Sequence, residues 1–154
     1  MSHLAELNIG RLLHPIGDPR IAEFIDNLEK INALAERMPG FVWRLKDEAG
    51  NATSFRISDD PTVNVNLSVW KTPEALETYV FQTAHKKFYR KKDAWFEPMT
   101  TPHFVMWWID EGHRPSLEEA AERLGHLAAN GPSGRAFGWS DLKSAELWRA
   151  QRCA

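Results

Sequence analysis

Apolar positions recur along this chain with a period of two, then with a period near 3.6, and the two patterns change places several times. Residues 4–13 (LAELNIGRLL) alternate as a strand does, with Leu7 and Ile9 on one side and Glu6, Asn8 and Gly10 on the other. Asp18 and Pro19 suit the cap and first position of a helix. Ile21, Phe24, Ile25, Leu28, Ile31, Leu34, Ala35 and Met38 then make one apolar stripe, which Pro39-Gly40 ends. Residues 41–45 (FVWRL) read as a short strand, 47–60 as a polar loop or frayed hairpin, and 63–70 (VNVNLSVW) as the next strand. Thr72-Pro73 caps a second helix carrying Ala75, Leu76, Tyr79 and Val80. Its signal runs on past a break near Thr83 to His85, Phe88, Trp95 and Phe96. Residues 103–110 (HFVMWWID) are apolar on both faces, as in a central strand. Ser116 and Glu119 form a capping box for a third helix with Leu117, Ala120, Ala121, Leu124, Leu127 and Ala128 on its apolar side. Asn130-Gly131-Pro132 ends it, and a further short helix is predicted around residues 140–149.

The order strand, helix, strand, strand, helix, strand predicts a ferredoxin-like split β-α-β fold of the α+β class. Its four-stranded antiparallel sheet carries helices on one face, with an extra C-terminal helical segment. One domain over residues 1–154 is expected, with a core at 4–110 and the extension at 115–154. In the strand 63–70, Val65, Leu67 and Val69 suit the helix side. Asn64, Asn66, Ser68 and Trp70, with Glu6 and Asn8, take the other side and give it the polar and aromatic lining of a ligand pocket. Two such sheets stacked in a homodimer would bury that face and leave cavities between sheet and helices.

Composition narrows the function by exclusion. The 154 residues are 43% hydrophobic and 26% charged, with a net charge of -2, which argues against nucleic acid as a partner. No stretch is long and apolar enough to span a membrane. One cysteine, Cys153, leaves no internal disulfide, and the first residues lack a basic region followed by an apolar run, so a cytoplasmic location is expected. Seven tryptophans are the unusual feature, since Trp concentrates where flat organic ligands or partner chains bind. Spacings for a zinc site, a phosphate loop, a nucleophile elbow or a CxxC pair are missing.

The runs NLSVWKTPEAL and TAHKKFYRKK resemble the dimeric α/β-barrel superfamily that includes the antibiotic-biosynthesis monooxygenases. Together with LAELNIGRL, PGFVWRL, MWWIDEGHRPSLEEAAERL and GPSGRAFGW, they resemble one branch of it named only as a domain of unknown function. The resemblance implies a homodimer. It also implies, by analogy with cofactor-independent relatives, oxidation of an electron-rich aromatic held as a carbanion, with Asn8, Asn66, Trp43 and Trp70 as candidate contacts. Haem-degrading relatives imply an alternative in which Asn8, Tyr79 and His85 surround a haem, with His85 as axial ligand.

His85 shares a helix face with Phe81 and Phe88, at offsets of four and three. It is the candidate general base, and the ordinary alternative is a half-buried histidine bonded to a backbone carbonyl. Asn8 and Asn66 are the candidate oxyanion partners. Trp43, Arg44, Trp70, Tyr79, Phe88, Trp95 and Trp107 are candidates for the substrate wall. Trp107 and Trp108 must face opposite ways, and the pattern does not choose between them. Arg44, a charge in an apolar strand, needs a partner, which Glu6 or a bound anion would supply. His113 and Arg114 read as a surface turn, and the run Lys86, Lys87, Arg90, Lys91, Lys92 as a solvated helix face. The expected function is small-molecule binding, monooxygenase-like if catalytic, with no permanent cofactor and a small aromatic molecule as partner; a non-enzymatic binding dimer is the third reading.

Overall fold

The computed structural model of the chain describes residues 1–46, 60 and 62–142. Its strands are β1 (Ser2–Arg11), β2 (Phe41–Arg44), β3 (Val63–Trp70) and β4 (Phe104–Asp110). Its helices are α1 (Ala22–Glu36), α2 (Pro73–Gln82), α3 (Ala84–Arg90), α4 (Lys92–Trp95) and α5 (Leu117–Asn130). The strands form one antiparallel sheet in the order β2-β3-β1-β4, as the ferredoxin-like reading requires. The predicted helix at 140–149 and most of the loop at 47–60 lie outside the described residues; 139–141 form a single 3-10 turn.

Caps place the helices where the sequence put them. Thr72 accepts from the amide of Ala75 at 3.2 Å and opens α2. Ser116 accepts from the amide of Glu119 at 3.1 Å and opens α5. The break at Thr83 is the work of one side chain. Its hydroxyl donates to the Tyr79 carbonyl at 2.5 Å, closing α2, and accepts from the His85 amide at 3.2 Å, opening α3.

Both faces of the sheet are covered, and this reverses one expectation. Leu4, Trp70 and Met106 pack under α1 and α2 with Ala35, Leu76 and Tyr79. The aliphatic set Leu67 and Val69, with Ala5, Leu7, Val105 and Trp107, packs with Ala120, Leu117 and Leu124 of α5 on the opposite face. The polar and aromatic lining therefore faces α1 and α2, while Val65, Leu67 and Val69 do not. Alternation fixes which residues share a face; it does not say which face a given helix takes, because α5 supplies a second apolar cover. A third, smaller cluster joins Leu12, Ile21, Phe24 and Trp95 at the lower end of the sheet. There Phe96 lies over Gly10, whose missing Cβ would sit 2.6 Å from the ring.

Gly40 turns the chain from α1 into β2 at a φ of +88°, and its carbonyl accepts from Lys71 at 2.7 Å. A Cβ there would lie 2.5 Å from the Cβ of Ala75 on α2. Gly40→Ala thus combines left-handed strain with an overlap that no side-chain rotation relieves, and should cost about 1–3 kcal/mol of stability. Urea unfolding of the two proteins measures this; an unchanged midpoint would contradict the α1–α2 packing.

Candidate functional site

The register aligns three pairs on the α1–α2 face of the two central strands: Leu4 with Trp70, Glu6 with Ser68, and Asn8 with Asn66. The first two pairs are buried, and the third is exposed. Exposure is unusual for central-strand residues on a helix-covered face, and it marks an opening in that cover. Asn8 and Asn66 form its floor. Phe104 lies across from Asn8 on β4, and Phe96 over Gly10 bounds the lower side.

On the upper side a hydrogen-bonded chain runs into the interior. The Trp70 indole donates to the Ser68 hydroxyl at 2.9 Å, which leaves the hydroxyl's own hydrogen for Glu6 Oε1 at 2.5 Å. Glu6 is 4% exposed. Burial pushes its carboxyl up to about 8, against the opposing pull of the Ser68 bond, so the group is largely protonated at neutral pH.

Aromatic contacts carry the cluster onward to His85. Trp70 lies edge-on to Phe41 with ring centres 5.4 Å apart and stacks on Tyr79 at 5.3 Å. Tyr79 donates to the carbonyl of Ile31 on α1 at 3.0 Å. Burial and the charge of Glu6 raise the phenol's pKa, and Arg44 opposes them. The His85 ring sits 4.8 Å from that of Tyr79 and 6.4 Å from that of Tyr89. Its Nδ1 lies 3.3 Å from the Val80 carbonyl. A carbonyl only accepts, so Nδ1 carries the proton and Nε2 holds a lone pair. Packing around the ring pushes its pKa down to about 4, with the Val80 bond working against the shift, and the imidazole is neutral at neutral pH.

The other candidates divide. Arg44 shares this face beside Ser68, but its partner is Glu36 on α1 at 2.9 Å, not Glu6. α1 brings its own carboxylate over the strand, which the strand pattern alone does not show. Burial opposes the charge of Glu36, yet Lys46 and Arg44 together hold its carboxyl below the usual range. Phe88 and Trp95 pack with Phe24 in the lower cluster, at 5.4 and 5.5 Å. Trp43 and Trp107 lie on the α5 face. Trp107 donates to Glu119 there at 3.2 Å, and Glu119 also meets His113 at 2.7 Å beside a cleft of about 450 Å³. Trp108 is the tryptophan of that pair on the α1–α2 side, opposite Leu4 and 43% exposed. Glu6, expected in the lining and as a partner for Arg44, has Ser68 as its partner instead. Among the described residues no group of three or more His, Cys, Asp or Glu side chains could hold a metal, and no helix is long and apolar enough to cross a membrane.

Comparison with known proteins gives the following. A family model described as Domain of unknown function (DUF3291) matches residues 3–153. Among solved structures, the chain is similar to SnoaB, a cofactor-independent oxygenase from Streptomyces nogalater, at 18% identity and a TM-score of 0.46, covering 76% of this chain and 98% of that one. It is also similar to PA3566 from Pseudomonas aeruginosa at 13% identity and a TM-score of 0.47, covering 75% and 97%. No curated protein matches in sequence.

The two shifted groups act on stability in opposite directions. Glu6 titrates at about 8 in the fold against an ordinary 4.5, so its contribution is complete below 4.5 and is lost as pH rises through 8. His85 titrates at about 4 against 6.5, so its contribution is complete above 6.5 and is lost as pH falls through 4. Each slope is at most about 1.4 kcal/mol per pH unit. The two cancel between 4.5 and 6.5, and Glu6 alone destabilises from 6.5 to 8. Glu6→Gln should therefore flatten the melting temperature between pH 6.5 and 9, while the parent protein loses stability there; parallel curves for the two would refute the buried neutral acid.

Proposed function

The chain belongs to the family described as Domain of unknown function (DUF3291), and from that footing we propose that it binds a small aromatic or polycyclic molecule over Asn8 and Asn66 and oxidises it as a monooxygenase-like enzyme without a permanent cofactor. The observation that carries this reading is the opening itself: two exposed amides on central strands, in a face otherwise packed with Trp70, Tyr79, Met106 and Phe104. Flat apolar walls with a few fixed polar groups suit a ring system bearing oxygen substituents. The working unit in this reading is a homodimer.

The chemistry starts with an acidic methylene. His85 takes one of its protons at Nε2, and the electron pair stays on carbon. Asn8 and Asn66 donate to the oxygen onto which that charge delocalises. The carbanion then passes electrons to dioxygen and a carbon–oxygen bond forms. The oxygen–oxygen bond breaks as the second methylene hydrogen is lost, so one methylene and one dioxygen give one ketone and one water. A base of low pKa sets the substrate class, because only a strongly stabilised carbanion forms against it. An anthrone meets that requirement, since loss of its proton gives an aromatic phenolate.

Dithranol, a dihydroxyanthrone, is the probe. The protein should accelerate oxygen uptake and quinone formation over buffer. His85→Ala should lower the rate by about a hundredfold or more, and Asn66→Ala by about tenfold or more. Oxidation no faster than in buffer would end this reading.

Haem ligation is the second reading, favoured by the same neutral ring with Nδ1 committed and Nε2 carrying the lone pair. Haemin should then give a Soret band that moves in His85→Ala. An identical band in both proteins removes haem from consideration.

A further inference from the structure

We propose that Thr83 is the positioning residue of His85: by breaking the helix between α2 and α3 it frees the Val80 carbonyl for the imidazole, and so decides which ring nitrogen keeps the lone pair. For its effect on rate the inference rests on the reading of His85 as the base; its effect on the ring stands apart from that reading.

Each hydrogen bond involved has a direction fixed by its own chemistry. The Tyr79 carbonyl can only accept, so the Thr83 hydroxyl donates to it at 2.5 Å. The His85 amide can only donate, so the same hydroxyl accepts from it at 3.2 Å. One oxygen thus spends its hydrogen on the helix behind it and a lone pair on the helix ahead. Between the two, Thr83 is extended, at φ -121° and ψ -173°. In an unbroken helix the Val80 carbonyl would receive the Ala84 amide, four residues on. The extended Thr83 carries that amide off the helical path. Val80 is left among the last-turn carbonyls of α2 that have no partner within their own helix. His85 Nδ1 lies 3.3 Å from this carbonyl, which can only accept, and the ring donates to it.

The ring loses that bond if it turns over, because a flipped imidazole puts a carbon where Nδ1 now meets the carbonyl. Tyr79 lies against the ring, with centres 4.8 Å apart and planes tilted by 49°. An imidazole free of such bonds favours the other tautomer, with its proton on Nε2. The Val80 carbonyl reverses that preference, since the hydrogen bond made by one ring nitrogen sets the state of the other. Nε2 then keeps the lone pair that both the proton transfer and the haem alternative require. Thr83 meets His85 at the main-chain amide and acts on the ring through Val80, so it positions the base without touching the reacting atoms.

Nitrogen-15 NMR of the imidazole rings tests this at about pH 8, where a histidine of ordinary pKa is neutral. Protonated and bare ring nitrogens resonate far apart, and the signals missing from His85→Ala identify His85. The parent should show Nδ1 protonated and Nε2 bare. Thr83→Ser keeps a hydroxyl that donates and accepts, and should keep that pattern. Thr83→Val keeps the branched shape but loses both bonds, and should move the proton wholly or partly to Nε2. With dithranol, Thr83→Val should lower kcat roughly tenfold at unchanged KM, and Thr83→Ser should stay within about twofold of the parent. Circular dichroism checks each fold, and Thr83→Ala replaces the Val variant if that one does not fold. A parent ring with its proton on Nε2, or a folded variant without the hydroxyl that keeps the parent's pattern, overturns the role of Thr83. A parent that oxidises dithranol no faster than buffer overturns the reading of His85 as the base, and the spectra alone then decide the hold of Thr83 on the ring.

Discussion

A carboxyl group placed beside Leu4, Met106 and Trp70 under two helices must either shed its charge or find partners for it. Glu6 sheds its charge and keeps one partner, and much of the α1–α2 side follows from that. The Ser68 hydroxyl that serves Glu6 is held by the Trp70 indole, which fixes the indole's orientation. That orientation presents the ring to Tyr79, and the Tyr79 hydroxyl is fixed in turn on the Ile31 carbonyl of α1. One buried acid thus connects β1, β3, α2 and α1 through directional contacts. Apolar packing alone would hold these elements together without fixing their rotation.

The opening exists because two different covers meet imperfectly over the same strands. From above, α2 reaches only as far as Gln82, where Thr83 closes it and redirects the chain into α3. From below, Phe96 comes down on Gly10, the one β1 position where an aromatic ring can lie against the backbone. Asn8 and Asn66 fall between. An apolar pair there would leave exposed hydrophobic surface in the middle of the sheet, and a charged pair would repel across the register. Two amides are stable in water and could still donate to a ligand in the proposed reading.

Strands, caps and order of elements were legible because each has a local cause: alternation, Asp18, Thr72 and Ser116 as caps, the break near Thr83, and the stops at Pro39-Gly40 and Gly131. The motifs around NLSVWKTPEAL also led to the family. What stayed hidden was everything set by a second element in space. The pleat sorted Val65, Leu67 and Val69 from Asn64, Asn66, Ser68 and Trp70, but α5 claimed the aliphatic set and left the polar set to α1 and α2. Trp107 and Trp108 could not be assigned for the same reason. Arg44 visibly needed a partner, yet Glu36 lies eight residues away in a helix and is brought to it by the turn at Gly40. Phe88 shares a helix face with His85, but α1 draws it toward Phe24 instead.

The same burial acts on an acid and on a base and leaves both uncharged. Glu6 is held protonated and His85 deprotonated at neutral pH, while the Arg44–Glu36 ion pair lies on the same side of the sheet. Beside α3 and α4, Lys91 is engaged with Glu23 and Lys92 with Tyr89. In the proposed reaction His85 would remove only a proton that the ligand gives up readily, and Asn8 and Asn66 would hold the oxygen that inherits the charge. The limit on His85 follows from the packing around its ring, and under that proposal it favours ligands whose anion is stabilised by their own ring.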